Sequence, residues 1–241
     1  MRPLTIISIL PDLLNTNGDA ANARVLAQRA RWSGQEANVV EVRTRADLPA
    51  DVDSVVIGSG SDSQLVAARD VLLTMAEDLR AWTTAGVPIL AVGTGWELLS
   101  WGIELSGGVV VEGLGLVAGR AVPRESRAID DLVVTSKYGR LVGFENHARD
   151  YVGAEGSPLG RVVAGTGNGH GTEGVVMGDV IATHLHGPVL ARNPGLADHL
   201  LRAAFARHAV EYTPGAPTRP VDELARAARN QVAVRLSLAI D

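Results

Sequence analysis

The sequence predicts an α/β protein whose central, mostly parallel sheet carries helices on both faces. In the first hundred residues, short apolar runs alternate with longer stretches of helical character, which is typical of a parallel sheet. Two of the apolar runs, 52–57 and 87–92, lead directly into glycine-rich turns. Because ligands in such sheets bind at the carboxyl ends of the strands, both turns are expected at the functional edge.

The first half supplies most of the predicted sheet, since its apolar runs are short, branched and bounded by turn residues. A turn at 17–19 precedes the first helix, which ends near the Ser33-Gly34 pair. A second helical stretch separates the third and fourth strands. The predicted strands are 3–10, 37–42, 52–57 and 87–92, and the predicted helices cover about 20–33 and 63–85.

The second half is richer in glycine and in short strands. A glycine-rich loop at 165–171 is expected to be flexible, and a hairpin is expected around the Gly178-Asp179 turn. The predicted strands are 109–111, 116–118, 132–135, 141–144, 161–164, 175–177 and 180–183, followed by a helix over 194–208.

The last residues are expected to form an appendage. Residues 1–210 are predicted to form the main domain, and 211–241 a Pro-rich linker, over 213–220, with a C-terminal helix over 221–240. Apolar residues of that helix recur at a spacing of four. Packing on the same domain is favoured over docking to a partner.

Composition restricts the function. The net charge of −5 without a basic cluster argues against nucleic-acid binding. No apolar run reaches membrane-spanning length and the first residues lack the basic region of a signal peptide, so a soluble cytoplasmic protein is expected. The absence of cysteine from the 241 residues excludes disulfides, thiolate metal sites and a cysteine nucleophile.

The stretch 86–101 has the pattern around which the rest of the chain is arranged. An apolar strand runs into Gly93-Thr94-Gly95, and a helical pattern begins at Trp96. Strand, sharp glycine turn and helix form the geometry of a nucleophile elbow. The residue at its tip, however, is Gly93, which has no side chain. On this stretch alone, an ordinary strand-to-helix turn is the favoured interpretation.

Three other places contain residues capable of chemistry. His184 and His186 follow a predicted strand, where a general base is a simpler interpretation than a metal pair, because Asp, Glu or His companions at suitable spacing are absent. No metal site is therefore predicted, and an ordinary core or surface histidine remains the alternative. Arg127 is able to hold a carboxylate through its two-pronged guanidinium, although a surface arginine in a loop is commoner. The polar segment 144–147 is interpreted as a turn.

Taken together, these segments resemble the class I glutamine amidotransferases of the CobB/CobQ type over about residues 4–205. The family motifs YGD-x-GN, VPxLAICGGYQLL and GxGN…EG are similar to segments at 17–22, 87–99 and 165–174. The GFENH motif at 143–147 and the HGP and NP motifs within 182–194 resemble the GatD branch of this family. The resemblance implies a three-layer, flavodoxin-like fold.

The resemblance also implies a function. Members of the GatD branch hydrolyse glutamine at a Cys–His site and pass the ammonia to a Mur-ligase-like partner subunit, MurT, which uses ATP to amidate D-glutamate in the peptidoglycan stem. No cofactor of the glutaminase subunit is implied. By position, His186 is the general base, and Arg127 and Asn146 contact the substrate. The oxyanion hole is assigned to the backbone around Gly58, Gly60 and Thr94.

The elbow departs from the family pattern at three positions. The family cysteine corresponds to Gly93, the glycine after it to Thr94, and a glutamine to Glu97. Removing a nucleophile typically lowers kcat by about 10⁶-fold. The sequence therefore predicts a catalytically inactive pseudo-glutaminase. Two alternatives stay open: an amidase that uses Thr94 or water activated by His186, and a CobQ-like role in cobalamin biosynthesis.

Overall fold

Two β-sheets organise the chain in a computed structural model that describes residues 2–240. Within those residues, the first sheet has six strands, five of which run parallel. Two of the five, 54–57 and 89–92, lead into the glycine turns at their carboxyl ends. Strand β11 is antiparallel at one edge. In spatial order the strands are β11 (Val175–Met177), β12 (Val180–Thr183), β4 (Ile89–Val92), β3 (Ser54–Ile57), β1 (Leu4–Ile9) and β2 (Ala37–Val42).

Helices cover both faces of this sheet, as the alternation predicts. Alternate side chains of each strand enter opposite cores: Val55 and Ile57 face one helical layer, and Val56 faces the other. The first layer contains α2 (Asp62–Thr74), α3 (Ala76–Thr84) and α4 (Thr94–Leu99). The second contains α1 (Ala21–Trp32), α5 (Val189–Arg192) and α6 (Pro194–Ala206). The predicted three-layer arrangement is confirmed.

The second sheet is dominated by a long antiparallel ribbon. Its strands are β5 (Gly102–Glu104), β6 (Val110–Glu112), β7 (Arg120–Ser136), β8 (Gly139–Val152), β9 (Gly160–Ala164) and β10 (Thr172–Glu173). Strands β7 and β8 pair along most of their length, with one register shift between Pro123 and Ala128. The short strands predicted at 132–135 and 141–144 are therefore parts of much longer ones. Arg127 lies in a strand rather than a loop, and segment 144–147 is strand rather than turn.

Two further predictions are wrong in detail. The helix expected over 63–85 is divided at Met75, which ends α2 and precedes α3. No strand forms over 116–118; there the backbone N–H groups of Leu116 and Val117 both donate to the carbonyl of Leu99 at the end of α4. This segment bonds to a helix end instead of a strand. A short 3₁₀ helix spans Arg45–Asp47.

The C-terminal helix α7 (Thr218–Arg235) packs on the rest of the molecule. It begins three residues before the predicted position, within the expected linker. Val232 is buried against Val133 and Val142 of the ribbon. Buried Arg29 of α1 is 2.6 Å from Asp222 of α7, and it also pairs with Asp198 of α6. These contacts agree with the favoured packing role. No helix in the described part of the chain is both long and apolar enough to cross a membrane.

Candidate functional site

The predicted strand–turn–helix elbow is present at Gly93. Strand β4 ends at Val92 and α4 begins at Thr94, so the chain reverses direction at one residue. Gly93 has φ +52° and ψ −121°, a conformation that side-chain-bearing residues adopt only with strain. Such strain is typical of the residue that presents a nucleophile at the mouth of a sheet. The turn has the form of a catalytic elbow without its reactive group.

His186 lies beside this turn, as the sequence predicts. A Cβ atom at position 93 would be 2.9 Å from its Cε1 atom. The imidazole Nδ1 is 3.2 Å from Oδ2 of Asp19, and both side chains are fully buried. The backbone N–H of His186 donates to the carbonyl of Phe144 in β8. The ring is thereby fixed, while its Nε2 atom has no hydrogen-bond partner.

Asp19 is a site residue to which sequence reasoning assigned no role. It lies just before α1, within the motif at 17–22. Its Oδ2 atom accepts a hydrogen bond from the backbone N–H of Ser59 and also faces His186. Its Oδ1 atom is buried without a partner. A carboxylate in this position orients the imidazole and stabilises its protonated form.

Ser59 is the second residue that sequence reasoning missed. Its Oγ atom lies 2.5 Å, and its Cβ atom 2.9 Å, from the position that a Cβ atom at residue 93 would take. Real Cβ atoms essentially never make contacts this short. Ser59 thus fills the space in which a side chain at the elbow would lie. The available signal was a serine between the two glycines of the turn at 58–62.

Thr94 and the glycines of that turn hold the two loops together. The Thr94 hydroxyl donates to the carbonyl of Gly60 at 2.8 Å, and the N–H of Gly95 donates to the carbonyl of Gly58. Position 58 requires glycine, because an added Cβ would be 2.2 Å from the carbonyl oxygen of Leu14. The hydroxyl of Thr94 is therefore used in a structural hydrogen bond. The oxyanion role of this backbone remains a prediction.

Glu97 forms a buried ion pair. Its two carboxylate oxygens accept hydrogen bonds from Nε and Nη2 of Arg149, each at 2.9 Å. The same Nη2 atom also donates to Asp62 at 2.7 Å, and this hydrogen bond lowers the pKa of the Asp62 carboxyl. Arg149 lies in the ribbon, and sequence reasoning did not single it out. The charge of Glu97, which departs from the family pattern, is thus neutralised within the protein.

Arg127 and Asn146 lie at the same cleft as the elbow. Arg127 Nε donates to the Asn146 side-chain oxygen at 2.6 Å across the ribbon. Both residues line a cleft of about 200 Å³ together with Ser59, Gly93 and Thr94. Because β8 of the ribbon pairs through Phe144 with His186, just after β12, residues distant in sequence surround one small space. The structure brings the predicted substrate residues to the predicted site.

A second buried polar cluster lies beside the cleft. The rings of His147 and His184 stack with their centroids 4.1 Å apart, and each imidazole contacts a buried carboxylate, Glu145 and Glu173 respectively. Burial lowers the pKa of His184, and the neighbouring His147 lowers it further. His184 and His186 contact different carboxylates. Within residues 2–240 no three acidic or histidine side chains are grouped so as to hold a metal ion.

Comparisons with known proteins agree with this geometry. The profile of the CobB/CobQ-like glutamine amidotransferase domain matches residues 5–194. The subunit GatD of lipid II isoglutaminyl synthase (glutamine-hydrolyzing) from Staphylococcus aureus is 32% identical over 219 residues, which cover 89% of each chain. Its counterpart from Streptococcus pneumoniae is 29% identical, covering 85% of this chain and 81% of its own.

A solved structure extends the comparison to the fold. A crystal structure of a glutamine amidotransferase superposes with a TM-score of 0.56 at 21% identity, covering 82% of this chain and 98% of its own. At this level of identity the likeness concerns the fold alone.

Proposed function

Since this chain belongs to the CobB/CobQ-like glutamine amidotransferase family, we propose that it is a GatD-like subunit that acts in lipid II amidation and does not itself hydrolyse glutamine. Both curated relatives are subunits of lipid II isoglutaminyl synthase, and the match to each covers most of both chains. This likeness supports the lipid II pathway over the CobQ-like role in cobalamin biosynthesis.

The observation that carries the loss of glutaminase activity is the elbow itself. Gly93 keeps the backbone conformation of a nucleophile position, and His186 keeps the position of its base. The side chain that would carry the reacting atom is missing. Covalent glutamine hydrolysis requires a group that attacks the amide carbon, and its removal typically lowers kcat by about 10⁶-fold. The chain therefore holds the scaffold of the reaction without the family's route through a cysteine.

The contacts of Thr94 argue against its use as a substitute nucleophile. Its hydroxyl donates to the carbonyl of Gly60, and its Oγ1 atom is 3.4 Å from the hydroxyl of Ser59 rather than bonded to a base. A hydroxyl attacks effectively only when a neighbouring base removes its proton. Water activated by His186 would lack the covalent intermediate that divides the reaction into two easier steps.

The proposal includes a partner and a location. The relatives' names describe one subunit of a synthase, so we expect a MurT-like ligase subunit as the partner of this chain. Because such a ligase consumes ATP, we expect the complex to lie in the cytoplasm. We expect this chain to act by binding the ligase subunit, or by occupying the surface of the ligase on which an active glutaminase subunit would bind.

A glutaminase assay tests the proposal. Ammonia released from glutamine is measured for the purified chain, alone and with a co-expressed MurT-like subunit, and the Staphylococcus aureus relative serves as the positive control. We expect the rate to equal that of His186→Ala. A glutamine-like diazo-ketone, which needs a thiolate to trap it, is expected to leave the mass of the protein unchanged. Ammonia release above the His186→Ala background would contradict the proposal.

A further inference from the structure

We propose that Ser59, His186 and Asp19 form a serine-type acyl-transfer site that accepts small esters, a reaction distinct from glutamine hydrolysis. The inference goes beyond the proposed function and rests on the contacts around Gly93. It assigns the nucleophile to the neighbouring turn at 58–62 rather than to the elbow.

The first argument is the position of the serine hydroxyl. Ser59 Oγ and His186 Cε1 both lie within 3 Å of the point at which a Cβ atom of residue 93 would stand, at 2.5 and 2.9 Å. The hydroxyl and the imidazole thus both border the position of the missing nucleophile. Because Gly93 has no side chain, nothing from that residue separates the two groups.

The second argument is the buried polar atoms that have no partner. His186 Nε2 and Asp19 Oδ1 are both buried and make no hydrogen bond within the described residues. A purely structural histidine would be expected to satisfy both ring nitrogens, because leaving a buried polar atom unpaired is unfavourable. The free Nε2 atom is adjacent in the ring to Cε1, the atom that faces Gly93. It is therefore available to accept a proton from a hydroxyl in that space.

The third argument is the orientation of the base. The Nδ1 atom of His186 is 3.2 Å from Asp19 Oδ2, and this same oxygen accepts a hydrogen bond from the backbone N–H of Ser59. One carboxylate thus positions both the base and the backbone of the nucleophile. The order carboxylate, imidazole, hydroxyl is that of a catalytic triad, which is recognised by geometry rather than by sequence position.

The reaction balances with these residues alone. Ser59 Oγ attacks the ester carbonyl carbon, and its proton passes to His186 Nε2. The tetrahedral intermediate then collapses, the bond to the alcohol oxygen breaks, and the leaving alcohol takes the proton from His186. A water molecule that replaces the alcohol gives a proton to His186 Nε2 and attacks the acyl carbon. The bond to Ser59 Oγ then breaks, His186 returns the proton to that oxygen, and the carboxylic acid leaves. Asp19 stabilises the imidazolium in both steps.

Two observations favour small esters as the substrate class. The cleft that Ser59 lines has a volume of about 200 Å³, which suits a short acyl group. Ser59 Oγ is held by the N–H of Thr94 at 3.3 Å and does not hydrogen-bond His186 in the resting state, so the serine has to rotate before it reacts. A weakly activated hydroxyl needs a good leaving group. Alcohols and phenols leave ester intermediates more easily than ammonia leaves those of amides.

The experiment uses the full chain with p-nitrophenyl acetate and, separately, a small alkyl fluorophosphonate. Peptide mass mapping is expected to find one modified residue, Ser59, and p-nitrophenol release is expected to begin with a burst of about one equivalent. Ser59→Ala is expected to lose the burst and the label. His186→Ala is expected to slow the labelling by at least about 100-fold. The control is Ser63→Ala, an exposed serine of α2 that has no place in the site.

Two results would overturn the inference: a folded wild-type chain that neither reagent modifies, or modification that persists in Ser59→Ala. Circular dichroism of each variant confirms that it is folded, and Asp19→Asn tests the orientation of the base through a shifted pH profile of labelling. Glutamine hydrolysis is measured in the same preparations. Ammonia release would overturn the proposed function, whereas absence of acylation would overturn only the role of Ser59.

Discussion

Restoring a cysteine at position 93 tests the central steric claim of the structure. Gly93→Cys would place a Cβ atom 2.5 Å from Ser59 Oγ, at a residue whose φ is +52°. Strained backbone typically costs about 1–3 kcal/mol, and an overfilled space costs about another 1–3 kcal/mol. We therefore expect the free energy of unfolding to fall by about 2–6 kcal/mol in the single variant.

A matched control separates the two contributions. Gly178 in the β11–β12 hairpin has φ +58°, and an added Cβ there would meet nothing within 4 Å. Gly178→Cys therefore places a side chain at positive φ without the crowding, and we expect it to lose only about 1–3 kcal/mol. Urea unfolding followed by circular dichroism measures both variants under identical conditions.

The double variant Ser59→Gly with Gly93→Cys identifies the source of the crowding. Removing the Ser59 side chain frees the space that the cysteine needs, so the two changes are expected to interact favourably by about 1–3 kcal/mol in a double-mutant cycle. The thiol, now beside His186, is expected to react with iodoacetamide at neutral pH faster than that of Gly178→Cys, because a neighbouring imidazole lowers a thiol pKa. If the changes in the free energy of unfolding caused by the two substitutions are simply additive, the steric argument is refuted.

Two further predictions concern the buried charges around the cleft. Glu97→Gln leaves Arg149 with a single anionic partner, so we expect the free energy of unfolding to fall by about 2–3 kcal/mol. Part of that loss is expected to return when Arg149→Gln is added. Equal stability of Glu97→Gln and wild type would show that the ion pair contributes nothing. Burial holds the pKa of His184 below its ordinary value of 6.5. The neutral imidazole therefore contributes fully to stability above pH 6.5, and this contribution is lost as the pH falls through the pKa of the folded protein. Burial raises the pKa of its partner Glu173, but His184 and hydrogen bonds lower it below 4.5 overall, which adds a loss at lower pH. Urea unfolding at a series of pH values between 8 and 4 is expected to show a free energy of unfolding that falls below about pH 6.5. A free energy of unfolding that stays constant down to pH 5 would contradict this account.

The first sheet was predictable because its strands are short, apolar and separated by clear turn signals. The ribbon was not. Strand β8 alternates buried and partly exposed residues, but the inward positions include Glu145, His147 and Arg149, so no apolar period is visible in the sequence. These side chains are buried because they pair with one another and with other buried groups. Pattern reasoning locates apolar faces and misses a strand whose buried face is polar.

The candidate site shows the same limit. Gly93 and His186 were located because each belongs to a recognisable motif. Ser59 was passed over, although it lies inside the predicted turn, because its importance depends on a distance to a residue thirty-four positions away. In the sequence, Glu97 is only a departure from the family pattern, whereas in the structure it has an arginine partner from the ribbon. Compensation between distant residues becomes visible only when the fold places them together.

The competition between positions 59 and 93 for one space couples the two residues. With a cysteine at the elbow and the backbone unchanged, its Cβ atom would stand 2.5 Å from Ser59 Oγ and 2.9 Å from Ser59 Cβ, so one of the two residues has to move. A chain that carries both side chains is therefore expected to be less stable than one that carries either alone. The cost of a cysteine at position 93 thus depends on the residue at position 59. Recovery of a thiol at the elbow is expected to be easiest in a chain whose residue 59 has first lost its side chain.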